Sequence, residues 1–279
     1  MDALHNQVFF PSTLAELFSA WARFPDAIPF AGGTELLRNQ GRQILNLPRN
    51  ILSLDQLDEL HRITRTERYL EIGAMVKISD IIRLGKTVPE ALTQSLLGIA
   101  SPQIRNLITI GGNICNPFRR LDAAAPLIAL DARYELRTGS ETRWVSASRF
   151  STLPGPLALN PQELLTRIRI PLEQWQYSVY KKFADQYPLD ESGGGAVFMA
   201  RIQKNILIDL RMVFAGQIVL RDKNSETVLV GKQLPLERRD AVHFAELWKT
   251  FLQAMEIPGF MLRGKLFNFV MACILNLSD

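Results

Sequence analysis

Cysteine and histidine are scarce in this sequence. Its 279 residues include two cysteines, Cys115 and Cys273, and three histidines, His5, His61 and His243. Two thiols are too few to ligate an iron–sulfur cluster, and the histidines are far apart with no HExxH spacing. We therefore expect the chain to hold no metal of its own.

Long apolar runs and blocks of like charge are also missing. The most apolar stretch, residues 266–277, falls well short of the ~20 residues that a membrane span needs, and favours a buried helix or one packed on a partner. The net charge is +4, and no basic tract indicates nucleic acid. The first residues lack the basic region and apolar core of a signal peptide. We expect a cytoplasmic protein with free thiols.

The composition is that of an ordinary globular protein. Hydrophobic residues make up 47% and charged residues 22% of the chain. Its length leaves room for two or three lobes, since domains usually hold ~100 to 200 residues. Pro171 ends a predicted strand, and the chain changes character after it. We predict a first domain at 1–174, with lobes at about 1–55 and 56–174, and a second at 175–279.

Hydrophobic periodicity predicts α-helices and β-strands along the whole chain. Thr13 and Ser79 are predicted caps, each followed by a helix. Four further helices are predicted at 89–100, 123–130, 239–253 and 259–277. Predicted strands span 27–31, 50–54, 165–170, 178–183, 196–202 and 206–214, with hairpins within 63–72 and 134–145. The glycines at 193–195 indicate a flexible hinge.

Two double-glycine turns follow strand-like runs, AGGTE at 31–35 and TIGGN at 109–113. A backbone without side chains can expose several N–H groups at once, and such a turn suits a phosphate. Two such turns are what the two phosphates of a dinucleotide need. The alternative is that each pair is an ordinary tight turn, which is the commoner case.

The same residues carry a family resemblance. AGGTEL at 31–36, SPQIRN at 101–106, TIGGN at 109–113 and LIALDA at 127–132 resemble the FAD-binding (medium) subunits of molybdenum hydroxylases, the xanthine dehydrogenase and carbon monoxide dehydrogenase medium-subunit family. The resemblance covers nearly the whole chain. It implies an α+β fold: a two-lobed FAD-binding domain of the molybdopterin dehydrogenase and vanillyl-alcohol-oxidase-like type, then a smaller α+β domain with a three-stranded antiparallel sheet and helices.

The resemblance also implies FAD as cofactor, with both glycine turns beside its phosphates. It predicts that the backbone amides of Gly32, Gly33, Gly111 and Gly112 face the pyrophosphate. The turn residues that it assigns to FAD are Ile28, Pro29, Phe30, Ala31, Gly32, Gly33, Thr34, Glu35, Thr109, Ile110, Gly111, Gly112 and Asn113.

Five further positions are implied, each with an alternative. Asp122 matches a family aspartate that hydrogen-bonds the cofactor, or it caps the helix that follows. Cys115 would lie against the isoalloxazine or fill core. Leu164 or Leu165 would contact the adenine side or simply be strand core. Lys181 would lie near the flavin or be a solvated surface charge.

Two segments depart from the family pattern. Residues 117–120, PFRR, replace the usual Ala-Ser-Pro, which bears on the flavin-side contacts of that turn. The segment after the lysine, residues 183–192, is longer and more acidic than in relatives, which bears on the electron acceptor. It predicts a mobile acidic lid that slows NAD reduction, or else a solvated loop, and its acids are Asp185, Asp190 and Glu191.

The function that the resemblance implies is that of the FAD subunit in a three-component molybdenum hydroxylase. An iron–sulfur subunit and a molybdopterin subunit would be its partners, and NAD or another acceptor would take the electrons. No catalytic acid or base is predicted in this chain. The alternatives are a degenerate scaffold subunit without flavin, which residues 117–120 favour, and a stand-alone FAD oxidoreductase.

Overall fold

The chain, as a computed structural model, is described at residues 6–38, 47–151, 157–183, 193–257 and 260–278. Helices and strands both contribute throughout these ranges. The strands are β1 (Gln7–Phe9), β2 (Ile28–Phe30), β3 (Asn50–Ser53), β4 (Ile63–Arg65), β5 (Tyr69–Gly73), β6 (Arg133–Arg137), β7 (Thr142–Ser146), β8 (Leu164–Pro171), β9 (Tyr177–Phe183), β10 (Gly194–Gln203), β11 (Ile206–Ala215) and β12 (Val219–Leu220). The helices are α1 (Leu14–Arg23), α2 (Thr34–Arg38), α3 (Ile78–Arg83), α4 (Glu90–Leu97), α5 (Pro102–Arg105), α6 (Ile110–Ile114), α7 (Ala124–Ala129), α8 (Ala147–Phe150), α9 (Lys223–Val228), α10 (Arg238–Ala254) and α11 (Phe260–Asn276).

The N-terminal lobe is a small parallel sheet covered by α1. Its strands lie in the order β1-β3-β2, and both outer strands run parallel to β3. Helix α1 begins because the Thr13 hydroxyl accepts a hydrogen bond from the Glu16 N–H, at 3.2 Å. Its apolar face, Leu14, Leu17 and Trp21, is buried. The predicted βαβ-like arrangement is confirmed, and it leads the chain from β2 into the first glycine turn.

The middle lobe is built on a five-stranded antiparallel sheet in the order β4-β5-β8-β6-β7. Both predicted hairpins, β4–β5 and β6–β7, are confirmed. Strand β8 shows why the sheet has one buried face: Ile168 and Ile170 are fully buried, whereas Arg167 and Arg169 point the other way and pair with Glu71 at 3.1 and 2.6 Å. Helices α3, α4 and α7 share this lobe's core.

The C-terminal sheet is antiparallel, in the order β12-β11-β10-β9. The three predicted strands are confirmed, and the two-residue β12 adds a fourth at the edge of β11. Alternate residues face opposite sides. One face belongs to the middle lobe's core through Val197, Met199, Val213 and Ala215. The other packs on α10 and α11 through Phe198, Ala200, Met212 and Phe214. The C-terminal sheet therefore shares a core with the middle lobe.

The apolar residues 266–277 lie almost entirely in α11. Leu266, Val270 and Ile274 recur on one face and are buried against the C-terminal sheet. None of the helices in the described ranges combines the length and the apolar character that a membrane span needs. The expectation of a buried helix is confirmed for this face.

The glycines at 193–195 do not form the predicted hinge. Gly194 and Gly195 lie within β10 and pair with Phe183 and Lys182 of β9. A Cβ atom on Gly194 would overlap the carbonyl oxygen of Ala215, and one on Gly195 would lie 2.6 Å from the ring of Tyr180. Glycine is needed here because neighbouring groups fill the space of a side chain.

Two helix starts also differ from the prediction. Ser79 lies inside α3, which begins at Ile78, because the Ile78 N–H already donates to the carbonyl of Ile108 at 2.9 Å and needs no side-chain cap. Pro89 is the N-cap of α4 and not its first helical residue, and α4 ends at Leu97 instead of residue 100.

Two arginines of the C-terminal part hold the end of α7. The Arg211 guanidinium donates to the carbonyl of Ala129 at 2.6 Å and pairs with the Asp131 carboxylate at 2.7 Å. Arg221 pairs with the other oxygen of Asp131 at 3.1 Å. Cations at a helix C-terminus satisfy its free carbonyls and oppose its dipole. These contacts fasten the C-terminal sheet to the middle lobe.

Replacement of Arg211 tests this junction. Arg211→Met should lower the free energy of unfolding by about 2 kcal/mol, because a helix carbonyl and Asp131 lose a largely buried partner. Arg239→Met is the control, since Arg239 is 77% exposed and, among the described residues, pairs only with the exposed Glu237. Urea denaturation followed by circular dichroism measures both. Equal unfolding free energies for the two variants would contradict the role of Arg211.

Candidate functional site

The two glycine turns lie side by side although they are far apart in sequence. A Cβ atom on Gly32 would overlap the carbonyl oxygen of Leu107 and would lie 3.5 Å from the backbone nitrogen of Ile108. Residues 107 and 108 lead directly into Thr109, the N-cap of α6. Only glycine permits this backbone-to-backbone contact. The first turn is thereby placed against the segment that opens the second.

The first turn offers free hydrogen-bond donors. Gly33 has a φ of +66°, and α2 begins at Thr34 with the Leu37 N–H donating to the Gly33 carbonyl at 3.0 Å. Within the described part of the chain, the N–H groups of Gly32, Gly33 and Thr34 have no acceptor. Consecutive free donors at a helix start form an arrangement that binds anions.

The second turn offers no such donors. Its amides all donate inside the protein, from Ile110 to the Val76 carbonyl at 2.9 Å, from Gly111 to the Ala74 carbonyl at 2.8 Å, from Gly112 to the Thr109 hydroxyl at 3.1 Å and from Asn113 to the Thr109 carbonyl at 3.0 Å. The Gly111 and Gly112 amides are therefore not free donors for a phosphate, and the contact of residues 109–113 with FAD stays a prediction. Gly111 is glycine because a Cβ atom there would lie 2.7 Å from the Ala74 carbonyl oxygen.

Asn113 links the second turn to Asp122. Its side-chain oxygen accepts the N–H of Ala123 at 3.3 Å, next to Asp122. Asp122 does not cap α7, whose N-cap is Ala123 with no side-chain hydrogen bond. The Asp122 carboxylate oxygen Oδ1 instead accepts the Tyr180 hydroxyl at 3.1 Å and pairs with the Lys182 ammonium at 2.8 Å. The capping alternative for Asp122 is wrong, and a cofactor contact stays a prediction.

The two adjacent lysines of β9 point to opposite faces of the sheet. The Lys181 ammonium lies 5.8 Å from the ring centre of Phe183, on the face that packs against α11. The Lys182 ammonium reaches Asp122 and also donates to the carbonyl of Gly98 at 3.2 Å. The structure thus brings Lys182, and not Lys181, to the carboxylate of Asp122. The role of Lys181 near the flavin stays a prediction.

A turn at residues 98–101, which sequence reasoning missed, lies between Lys182 and Arg105. The Arg105 guanidinium donates to the carbonyls of Leu97, Ile99 and Ala100 at 3.0, 2.7 and 2.9 Å. Ala100 has a φ of +38°, a conformation that costs an L-residue about 1 kcal/mol. One signal was available, because Arg105 belongs to the SPQIRN motif. This turn joins the Lys182 side of the site to Leu107.

The remaining predicted contacts lie in or beside apolar cores. Cys115 packs against the core of the middle lobe, and burial raises the pKa of its thiol to about 12. Leu164 faces the N-terminal lobe's core and Leu165 the middle lobe's core. These positions fit the core alternative, and their contact with FAD stays a prediction.

The departure at residues 117–120 forms an ordered turn. The Asn116 side-chain oxygen accepts the N–H groups of Phe118 and Arg119 at 3.0 and 3.1 Å. Phe118 is 76% exposed, so its ring lies outside the core. Arg120 is buried, its N–H donates to the Gly216 carbonyl at 2.8 Å, and burial lowers the pKa of its guanidinium. The turn therefore exposes Phe118 and buries Arg120.

A cavity elsewhere in the described chain does not belong to this site. Its volume is about 50 Å³, and it lies beside Trp175 and Glu90, at the N-terminal end of α4. Gly98, which accepts a hydrogen bond from Lys182, follows the C-terminal end of the same helix. The cavity is too small for a flavin. In the ranges that the structure describes, no group of three His, Cys, Asp or Glu residues could hold a metal ion. The predicted acidic lid, with Asp185, Asp190 and Glu191, lies outside the described residues.

The arrangement fits a dinucleotide. Free amides at residues 32–34 suit a pyrophosphate, and the Asp122 carboxylate suits a hydroxyl or N–H group of the same ligand. The turn at 98–101 and the segment through Leu107 connect the Lys182 side of the site to the first glycine turn. The residues present therefore fit FAD, with free amides for its pyrophosphate at residues 32–34.

Comparisons with known proteins show the family of this chain. The family model for the FAD binding domain in molybdopterin dehydrogenase matches residues 4–173. The xanthine dehydrogenase FAD-binding subunit of Escherichia coli O157:H7 is 31% identical over 238 residues, which cover 83% of this chain and 81% of that protein. The carbon monoxide dehydrogenase medium chain of Afipia carboxidovorans is 33% identical over 166 residues, covering 58% and 57%.

A solved structure confirms the predicted fold class. The crystal structure of quinoline 2-oxidoreductase from Pseudomonas putida 86 matches with a TM-score of 0.80 at 23% identity, over 98% of this chain and 96% of that one. Fold, family model and relatives agree. The chain therefore belongs to the FAD-binding subunits of the molybdenum hydroxylases, the oxidoreductase family of xanthine and carbon monoxide dehydrogenases, and its cofactor is FAD.

Proposed function

We propose that this chain is the electron-transferring subunit of a molybdenum hydroxylase that works in the cytoplasm. An iron–sulfur subunit would deliver electrons that a molybdopterin subunit removes from substrate, and NAD or another acceptor would take them from the FAD site. The observation that carries the proposal is the row of free amides at Gly32, Gly33 and Thr34 in a chain of this family. Two related proteins named above are the FAD subunit and the medium chain of such enzymes.

Residues of the first turn hold the pyrophosphate in this proposal. The three amides donate to phosphate oxygens, and the helix start adds a favourable dipole. Phe30 supports the turn, because a Cβ atom on Gly33 would lie 2.5 Å from its ring. Residues 28–31 and Glu35 line the same stretch. Residues 109–113 act by packing and by placing Asp122, and not as a second phosphate cradle.

The other side of the site orients the ligand. Asp122 accepts a hydrogen bond from it, Cys115 borders it, and Leu164 or Leu165 lies on its adenine side. When bound, FAD supplies the redox chemistry, and the chain contributes binding, orientation and electrostatics. We assign no catalytic acid or base to this chain. We also propose the division into a FAD-binding domain at 1–174 and a C-terminal domain at 175–279.

The visible spectrum of the purified full chain tests the proposal. We expect flavin absorbance from the purified protein, or its appearance after incubation with excess FAD and removal of the unbound fraction. A chain with native circular dichroism that takes up no FAD would contradict the proposal and favour the scaffold subunit. FMN and riboflavin serve as controls, because both lack the pyrophosphate that the first turn should hold.

Purification from the native source tests the assembly. A tagged chain should copurify with an iron–sulfur protein and a molybdopterin protein at low salt, and the eluate should contain iron and molybdenum. The tagged chain with Arg239→Met, altered at an exposed ion pair, serves as a control for tag artefacts. Repeated recovery of the flavoprotein alone would favour the stand-alone oxidoreductase.

A further inference from the structure

Strand β9 of the C-terminal sheet reaches the Asp122 carboxylate. The Tyr180 hydroxyl and the Lys182 ammonium both bind the same oxygen, Oδ1, at 3.1 and 2.8 Å. The second oxygen, Oδ2, has no partner among the residues that the structure describes, and the Asp122 side chain is 15% exposed. One oxygen is therefore saturated and the other is available.

Strand β10 and helix α4 both fix the position of Tyr180. Gly195 on β10 leaves room for its ring, since a Cβ atom there would lie 2.6 Å from the Tyr180 hydroxyl. The Tyr180 N–H donates to the side-chain oxygen of Gln94 at 2.8 Å. Burial and the neighbouring Asp122 raise the pKa of Tyr180 above its usual value. The hydroxyl therefore keeps its proton and acts as a donor at neutral pH.

Two donors on one oxygen fix the orientation of a carboxylate. Lys182 alone is a flexible point charge, and it would allow the carboxylate to rotate about its last bond. The tyrosine ring is held by packing, so its hydroxyl sets the direction in which Oδ1 points. An ionised carboxylate only accepts hydrogen bonds, and the free Oδ2 therefore selects a hydroxyl or N–H group on the ligand.

We propose that Tyr180 is a positioning residue for FAD: through its hydroxyl, and with Lys182, it orients Asp122 so that Oδ2 accepts a hydrogen bond from the cofactor. This inference rests on the proposed function. It assigns part of the FAD site to the C-terminal sheet, because Tyr180 and Lys182 lie on β9. It also explains why residue 195 is a glycine, since a side chain there would displace the Tyr180 ring.

A matched pair of tyrosine variants tests this role. FAD titration of the full-length apoprotein, followed by flavin fluorescence, should give a Kd about three- to tenfold higher for Tyr180→Phe than for the parent chain. Tyr177→Phe should leave the Kd unchanged. Tyr177 lies on the same strand but the opposite face, and its hydroxyl accepts a hydrogen bond from Asn276 at 3.0 Å. Equal effects of the two variants on the Kd would overturn the inference.

A double-mutant cycle separates positioning from general stability. In the Asp122→Asn background, Tyr180→Phe should change the FAD Kd by less than twofold, because Tyr180 acts through the carboxylate. Independent effects of the two substitutions would overturn the inference. Urea unfolding of the FAD-free chains shows whether either change merely weakens the fold.

A lysine pair provides a second test if Tyr180→Phe does not fold. Lys182→Met should raise the FAD Kd, whereas Lys232→Met should not. The control is closely matched: Lys182 and Asp122 are 43% and 15% exposed, and Lys232 and Asp240 are 42% and 16% exposed. Equal Kd values for these variants would overturn the inference. A parent chain that binds no FAD would overturn the proposed function itself, and the inference with it.

Discussion

The backbone contact between Gly32 and Leu107 is the constraint on which the site depends. No side chain fits between them, because a Cβ atom on Gly32 would overlap the Leu107 carbonyl oxygen. This contact joins the N-terminal parallel sheet to the segment between the turn at 98–101 and α6. It therefore places the free amides at 32–34 beside the segment that leads into α6.

The two glycine pairs look alike in sequence and act differently in the structure. Gly32 and Gly33 lie in the predicted turn, whereas Gly111 and Gly112 lie in helix α6. Only the positive φ of Gly33 is a local requirement, because Gly32 and Gly111 are needed for contacts with Leu107 and Ala74. Which amides remain free is not local. Gly111 donates to Ala74 and Ile110 donates to Val76, residues that another part of the chain supplies. Sequence alone predicted two phosphate cradles, and tertiary hydrogen bonding leaves free amides at residues 32–34 but not at 110–113.

The C-terminal sheet shows the same limit. Apolar runs predicted its main strands, since a strand with two buried faces is apolar almost continuously. The pattern did not tell which face of β9 meets the middle lobe. The family resemblance pointed to Lys181, whereas the structure places Lys182 beside Asp122 and Lys181 beside Phe183. Gly194 and Gly195 suggested a hinge, because a strand glycine required by a neighbouring tyrosine ring has no local signature.

Hydrogen–deuterium exchange of single backbone amides, with and without FAD, tests the central claim that one turn holds the pyrophosphate. The amides of Gly32, Gly33 and Thr34 should exchange rapidly in the FAD-free chain and be strongly protected by FAD. The amides of residues 110–113 should already be protected without FAD, because they donate inside the protein. Rapid exchange at residues 110–113 that FAD suppresses, with no change at residues 32–34, would contradict the account.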